Sequence, residues 1–236
     1  MVRVFFLLLV VTTLFSRGFY APDNRSQAEK ILTMVYLDYK TTALEGCGYH
    51  YDVTSCLDKS IVETQTCALD EQNLTVVWMQ VVLPSFYARE MACFQVDGCV
   101  SPYTGNAYGG ELCCRQKNSS YQKIQGDLYN YMPVVSSLVK ARGSRMFGMV
   151  KKADFVLGKT RFNEAFIEPG QSVKGDVARV YLYMDKVYNM KLSKKQKQLF
   201  LQWHEEDKVD EKECALAKFY KKVQKRANPF VEAGCR

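Results

Sequence analysis

The run Val76-Val77-Trp78-Met79-Gln80-Val81-Val82-Leu83-Pro84 sets one amide, Gln80, in the most strand-like stretch of the chain. A lone polar side chain in a buried strand must find a hydrogen-bond partner or face a cavity. Gln80 therefore reads either as a satisfied core amide or as a group lining a site. There it can orient a water, but it has no useful proton affinity and cannot act as a base. Met79 offers only a thioether, which is soft and a poor partner for a hard cation. Further along, Asp127-Leu128-Tyr129-Asn130 gathers a carboxylate, a phenol and an amide. The two histidines, His50 and His204, sit in no metal-like cluster. His50 reads as exposed or hydrogen-bonded near a disulfide, and His204, in Trp203-His204-Glu205-Glu206, as exposed. From Lys140 to Arg161 seven basic residues (Lys140, Arg142, Arg145, Lys151, Lys152, Lys159 and Arg161) stand against one acid, Asp154. Such a run is either a solvated surface or a grip on a phosphate backbone.

The elements that position these groups belong to a chain of 236 residues, 47% apolar and 24% charged, which is ordinary globular composition and argues against disorder. The net charge of +7 suits polyanion binding without requiring it. Met1-Val2-Arg3 and the apolar run from Val4 to Leu14 read as a signal peptide over 1–18, too short to span a bilayer, with cleavage after Gly18. The remainder, 19–236, reads as one compact, monomeric α+β domain, secreted or periplasmic, without a membrane anchor. Nine cysteines in an exported chain read as disulfides, and the odd count leaves at least one free or joined to another chain. The seven between 47 and 114 cannot be paired from spacing.

In chain order, Ser26-x-x-Glu29 is a capping box for a helix over about 27–42, with Ile31, Leu32, Val35 and Tyr36 on one face. Residues 47–72 have little periodicity, and 85–94 read as helical. Residues 97–110, rich in Gly, Pro, Tyr and Asn, have loop composition. Ser172 reads as the cap of a helix with Val177, Val180, Tyr181, Met184, Val187 and Tyr188 as its apolar stripe. Ser193-x-x-Gln196 and Asp210-x-x-Glu213 open two more helices, carrying Leu199, Phe200 and Trp203, then Cys214, Ala217 and Tyr220.

These motifs together resemble the secreted endonuclease I family. Trp78-x-x-Val81-Val82 followed by Pro84 resembles that family's Trp-Glu-His-Val-Val-Pro strand. Asp127-Leu128-Tyr129-Asn130 resembles its Asp-Leu-His-Asn element, and the run from Lys174 to Met184 its Arg-Gly-x-Ile-Ala-Arg-x-Tyr-Leu-Tyr-Met. Leu192-Ser193 with Gln196, Trp203 and Asn228-Pro229-Phe230-Val231 follow in the family's order. The resemblance runs from about residue 27 to the C-terminus, with extra residues near 97–108. It implies a ββα-metal (His-Me finger) core packed against several helices, with Asp127 capping the finger's helix. It also implies disulfides Cys214–Cys235, Cys93–Cys114 and Cys47–Cys67.

The same resemblance implies a phosphodiesterase site. There a Glu and an Asn hold Mg²⁺, a His activates water, and an Arg before the next cysteine contacts the phosphate. By this alignment Met79 stands at the Glu position, Gln80 at the base position and Glu111 at the phosphate-Arg position, while Asn130 keeps its amide. Tyr129 replaces the family's second His, with an unperturbed pKa of about 10. Two functions follow. One is a catalytically impaired homologue, needing no cofactor, that binds nucleic acid through Lys140, Arg142, Arg145, Lys151 and Lys152, or a protein through loop 97–108. The other is an active Mg²⁺-dependent endonuclease hydrolysing DNA or RNA phosphodiester bonds from an unusual site.

Overall fold

The computed structural model describes residues 20–38, 42–44, 49–51 and 76–235. The expected signal peptide, the Cys47–Cys67 pair and most of the stretch 47–72 lie outside them. The architecture is α+β. Helix α1 (Arg25–Asp38) is followed by β1 (Thr42–Leu44), β2 (Tyr49–Tyr51) and β3 (Val76–Gln80). Next come α2 (Pro84–Tyr87), β4 (Cys99–Val100), β5 (Ala107–Tyr108), α3 (Glu111–Lys117) and α4 (Ser119–Gln125). Then follow β6 (Tyr131–Val135), α5 (Ser136–Arg142), β7 (Met146–Phe147), β8 (Phe155–Leu157), β9 (Thr160–Phe162) and β10 (Phe166–Glu168). The chain closes with α6 (Lys174–Tyr188), α7 (Lys194–Glu206), α8 (Glu211–Gln224) and α9 (Pro229–Glu232).

The β-branched run around Trp78 forms β3 and pairs antiparallel with β6, from Val76 opposite Val135 to Gln80 opposite Tyr131. Helix α5 follows β6 without a loop, so β3, β6 and α5 make a ββα unit. This corrects one expectation. Asp127-Leu128-Tyr129-Asn130 does not begin the unit's helix; it forms a 3₁₀ turn leading into β6. Asp127 does cap that turn, accepting from the Tyr129 amide at 3.0 Å. The β-propensity of Tyr131, Val134 and Val135 holds the next stretch extended, and helix begins only at Ser136.

Helix α6 is the centre of the packing. Every residue from Val177 to Met184 is buried, so the helix is covered all round rather than along the expected stripe. Ser172 does not cap it. The helix opens from Val173, and Asp207, at the end of α7, accepts from the Gly175 amide at 2.8 Å. A Cβ at Gly175 would lie 2.1 Å from the Asp207 carbonyl oxygen, so this close approach requires glycine. Helices α7 and α8 begin with the capping boxes expected at Ser193/Gln196 and Asp210/Glu213. Helix α1 begins one residue before Ser26: Asn24 caps it instead, its Oδ1 accepting from the Gln27 amide at 3.0 Å. Stretch 85–94 holds only the short α2 and a 3₁₀ turn. Loop 97–110 contains a two-residue hairpin, β4 with β5.

Three disulfides join described residues: Cys93–Cys114, Cys99–Cys113 and Cys214–Cys235. The first and third match the pairs implied above. The second, which spacing left open, staples the β4–β5 hairpin to α3. Disulfides of this kind belong to an exported chain that folds in an oxidising compartment. Among the described residues no helix is long and apolar enough to cross a membrane. The Cys214–Cys235 link closes a separation of 21 residues, for which chain entropy gives about 3 kcal/mol. Replacing both cysteines by serine should lower the urea-unfolding free energy by that order, and an unchanged midpoint would show that the link does not constrain the unfolded chain.

Candidate functional site

Met79 and Gln80 stand at the end of β3, and the surrounding polar groups are organised around its backbone. Beyond Gln80 the strand leaves its partner, and the carbonyls of residues 80–82 must be satisfied elsewhere. Arg142, 1% exposed, reaches back from the last turn of α5. It donates to the Gln80 carbonyl at 2.6 Å and to the Val81 carbonyl at 2.7 Å. Its guanidinium also lies 4.6 Å from the centre of the Phe147 ring. From the other side Asn130, fully buried, closes its amide on Val82. Its Oδ1 accepts from the Val82 N–H at 2.8 Å and its Nδ2 donates to the Val82 carbonyl at 3.0 Å.

Gln80 is 5% exposed and is a satisfied amide. Its Nε2 donates to the Tyr131 hydroxyl at 3.1 Å, and that hydroxyl donates to the Gln125 carbonyl at 2.6 Å. Gln125 in turn donates from Nε2 to the Tyr121 hydroxyl at 2.9 Å. The Tyr87 ring packs against Tyr121 with centroids 5.8 Å apart, and its buried hydroxyl has no hydrogen-bond partner among the described residues. Burial holds the phenols of Tyr87, Tyr121 and Tyr131 well above the usual phenol range, so none supplies a base at neutral pH. Met79 is buried and lies opposite Met132 across the ladder.

The remaining expected positions divide clearly. Glu111 is the exposed first residue of α3, where a carboxylate suits the helix N-terminus. Its charge acts on Tyr121 and Arg25, which places it at the rim of the tyrosine–glutamine cluster. Tyr129 is buried, donates to the Ala217 carbonyl at 3.2 Å, and is likewise held above the usual phenol range by burial. Asp127 accepts from the Tyr183 and Tyr188 hydroxyls, both at 2.6 Å, and has a structural role. His204 is half-buried rather than exposed, with Nδ1 3.4 Å from Arg179. His50 faces Ala43 in the register of the β1–β2 ribbon.

Two of the five basic residues expected at a phosphate backbone are corrected. Arg142 is enclosed as described. Arg145 is half-buried and donates to the carbonyls of Asn163 at 2.5 Å and Ala141 at 3.0 Å. A guanidinium with several fixed donors satisfies buried carbonyls better than water can, and a charge run in sequence does not reveal this. Lys140, Lys151 and Lys152 remain exposed. The loop bearing Lys151 and Lys152 is held by Glu168, which accepts from the Val150 amide at 2.9 Å and pairs with Lys174 at 2.8 Å.

Sequence reasoning missed Tyr87, Tyr121 and Gln125. The one available signal was the solitary amide of Gln80, which had to find partners somewhere. As a set of metal donors these residues fit Mg²⁺ poorly. Met79 brings no oxygen, the Asn130 amide is closed on backbone, and among the described residues no three His, Cys, Asp or Glu side chains come together.

The family model for endonuclease I matches residues 48–235. The chain belongs to the endonuclease I family. Among relatives, Endonuclease-1 of Buchnera aphidicola subsp. Baizongia pistaciae (strain Bp) is 26% identical over 250 residues, covering 98% of this chain and 94% of that protein. The extracellular deoxyribonuclease of Aeromonas hydrophila is 24% identical over 219 residues, covering 89% of each chain. The periplasmic deoxyribonuclease of the same organism is 27% identical over 166 residues, covering 68% of this chain and 65% of that protein. In this endonuclease I chain, Arg142→Leu should cost roughly 2–4 kcal/mol by leaving buried carbonyls unpaired, whereas Lys140→Gln should change stability by less than about 0.5 kcal/mol. Equal effects of the two changes in urea unfolding would contradict the assigned role of Arg142.

Proposed function

We propose that this protein is a non-catalytic, nucleic-acid-binding member of the endonuclease I family, exported and folded as a single domain over 19–236. Membership makes it nuclease-like, and the names of its relatives point to DNA as the ligand class. The observation that carries the loss of catalysis is the closure around the end of β3. Gln80 donates to Tyr131 and cannot take a proton from water, and Met79 offers no hard donor. Asn130 has both amide atoms on Val82.

Phosphodiester hydrolysis needs charge neutralisation at the leaving oxygen and a base for the water; the base alone contributes about 10²–10⁴ in rate. Among the described residues, neither function has a group at the end of β3. Binding asks less. Exposed Lys140, Lys151 and Lys152 hold their charges outside the core and contact phosphate without reading sequence. Lys159 and Arg161 extend this basic edge, Arg161 sharing Glu168 at 3.2 Å.

Purified protein should leave supercoiled plasmid intact with and without Mg²⁺, yet shift duplex DNA at low salt. Lys151→Ala with Lys152→Ala should flatten the log–log salt dependence by about two. Magnesium-dependent nicking would overturn the loss of catalysis, and absence of any shift at low salt would remove DNA as the ligand.

A further inference from the structure

A surface pocket opens beside the tyrosine–glutamine cluster, between the start of α1 and helices α3 and α4. Its volume is about 360 Å³, and every residue lining it is polar. Two arginines, Arg25 and Arg115, supply the positive charge, and Glu29 is the one lining carboxylate. Glu29 is already engaged, accepting from Arg25 Nε at 2.7 Å. The Arg115 guanidinium has no carboxylate or carbonyl partner among the described residues, although its own carbonyl accepts from the Gln122 side chain at 2.5 Å. Such a guanidinium, lining a pocket, presents a planar fork that matches a phosphate.

The backbone adds to this. Asn24, Arg25 and Ser26 line the pocket and form the N-terminus of α1, a helix of 14 residues. Asn24 caps the Gln27 amide, and the positive end of the helix dipole is directed at the pocket. The floor is Gln125, 2% exposed, whose side chain donates to Tyr121 and whose carbonyl accepts from Tyr131. Tyr131 is also the partner of Gln80. Gln125 therefore joins the pocket to the cluster that holds Gln80, and the negative charge of Glu111 acts on Arg25.

We propose that this pocket is a phosphate-binding subsite that takes the phosphate of a nucleotide, with Arg115 and Arg25 as its charged contacts. The nucleotide identity rests on the nucleic-acid reading above; the phosphate chemistry rests on the pocket itself. A bare phosphate would leave much of the volume empty, and the exposed Ser26 hydroxyl offers a polar wall for an attached sugar.

The test is calorimetric titration of the full chain with thymidine 5′-monophosphate, inorganic phosphate and thymidine. The monophosphate should bind, inorganic phosphate should compete with it, and thymidine should not bind. Arg115→Gln should weaken the monophosphate by about tenfold or more, as loss of a charge-assisted contact requires, while a change at exposed Lys195, Lys195→Gln, should leave it unchanged. Arg115 is exposed, so the variant should unfold at the wild-type temperature. Short single strands with and without a 5′-phosphate separate the sources. A preference for the phosphorylated strand that Arg115→Gln removes identifies a strand end, and equal weakening of both strands identifies an internal phosphate. Monophosphate binding without any duplex binding would keep the subsite and remove the DNA reading. No binding of either phosphate compound to the wild type, or equal binding by Arg115→Gln, would overturn the subsite.

Discussion

A strand that outruns its partner leaves backbone carbonyls and amides inside the protein, and each must be paired. At the end of β3 this demand falls on residues 80–82. It is met by Arg142 from one side and Asn130 from the other. These polar ties lock the end of β3 to α5 and to the turn before β6. Because Arg142 binds two carbonyls and Asn130 binds both polar atoms of Val82, neither side chain is available to anything outside the fold. The surrounding core depends on this closure. Tyr181 stacks on Phe200 at 4.2 Å and touches Phe147 edge-on, and Phe147 carries the Arg142 guanidinium on its face.

A second buried arginine fixes the other half of the molecule. Arg179 is 1% exposed and makes a two-point contact with Glu213, both bonds at 2.7 Å, together with Asp176 at 2.7 Å and the Asp207 carbonyl at 2.6 Å. It joins α6, the end of α7 and the start of α8. Glu213 is at once the third residue of the α8 capping box and the partner of Arg179, so one side chain sets both where the helix begins and how it docks. The Cys214–Cys235 link then ties α8 to the C-terminal turn. With both arginines used internally, exposed positive charge among the described residues comes from lysines and from Arg25, Arg89, Arg115 and Arg226.

Periodic and capping signals were legible in the sequence. The helices beginning at Lys194 and Glu211 follow from reciprocal caps, and β3 from its β-branched run, because those effects act over a few residues. What was not legible depends on tertiary approach. Ser172 has the right chemistry to cap α6 but loses the role to Asp207, which reaches Gly175 from across the fold. Arg142 and Arg145 look like surface charge until the carbonyls they serve are placed around them. Gln80 was legible as a question, since a lone strand amide needs partners; that its partners would be Tyr131, Gln125 and Tyr121 requires the packing of β6 and α4.

On the proposed reading, the closure at β3 separates phosphate binding from catalysis: the inner groups hold the fold, and the outer ones, Lys140, Lys151, Lys152, Arg25 and Arg115, face solvent. The most direct measurement is nuclear magnetic resonance of the native protein titrated with Mn²⁺, following the side-chain amide signals of Asn130 and Gln80. With both amides engaged as described, neither should broaden selectively at micromolar Mn²⁺. Saturable broadening confined to the Asn130 amide would mean that it opens to hold a metal, and would contradict the closed site.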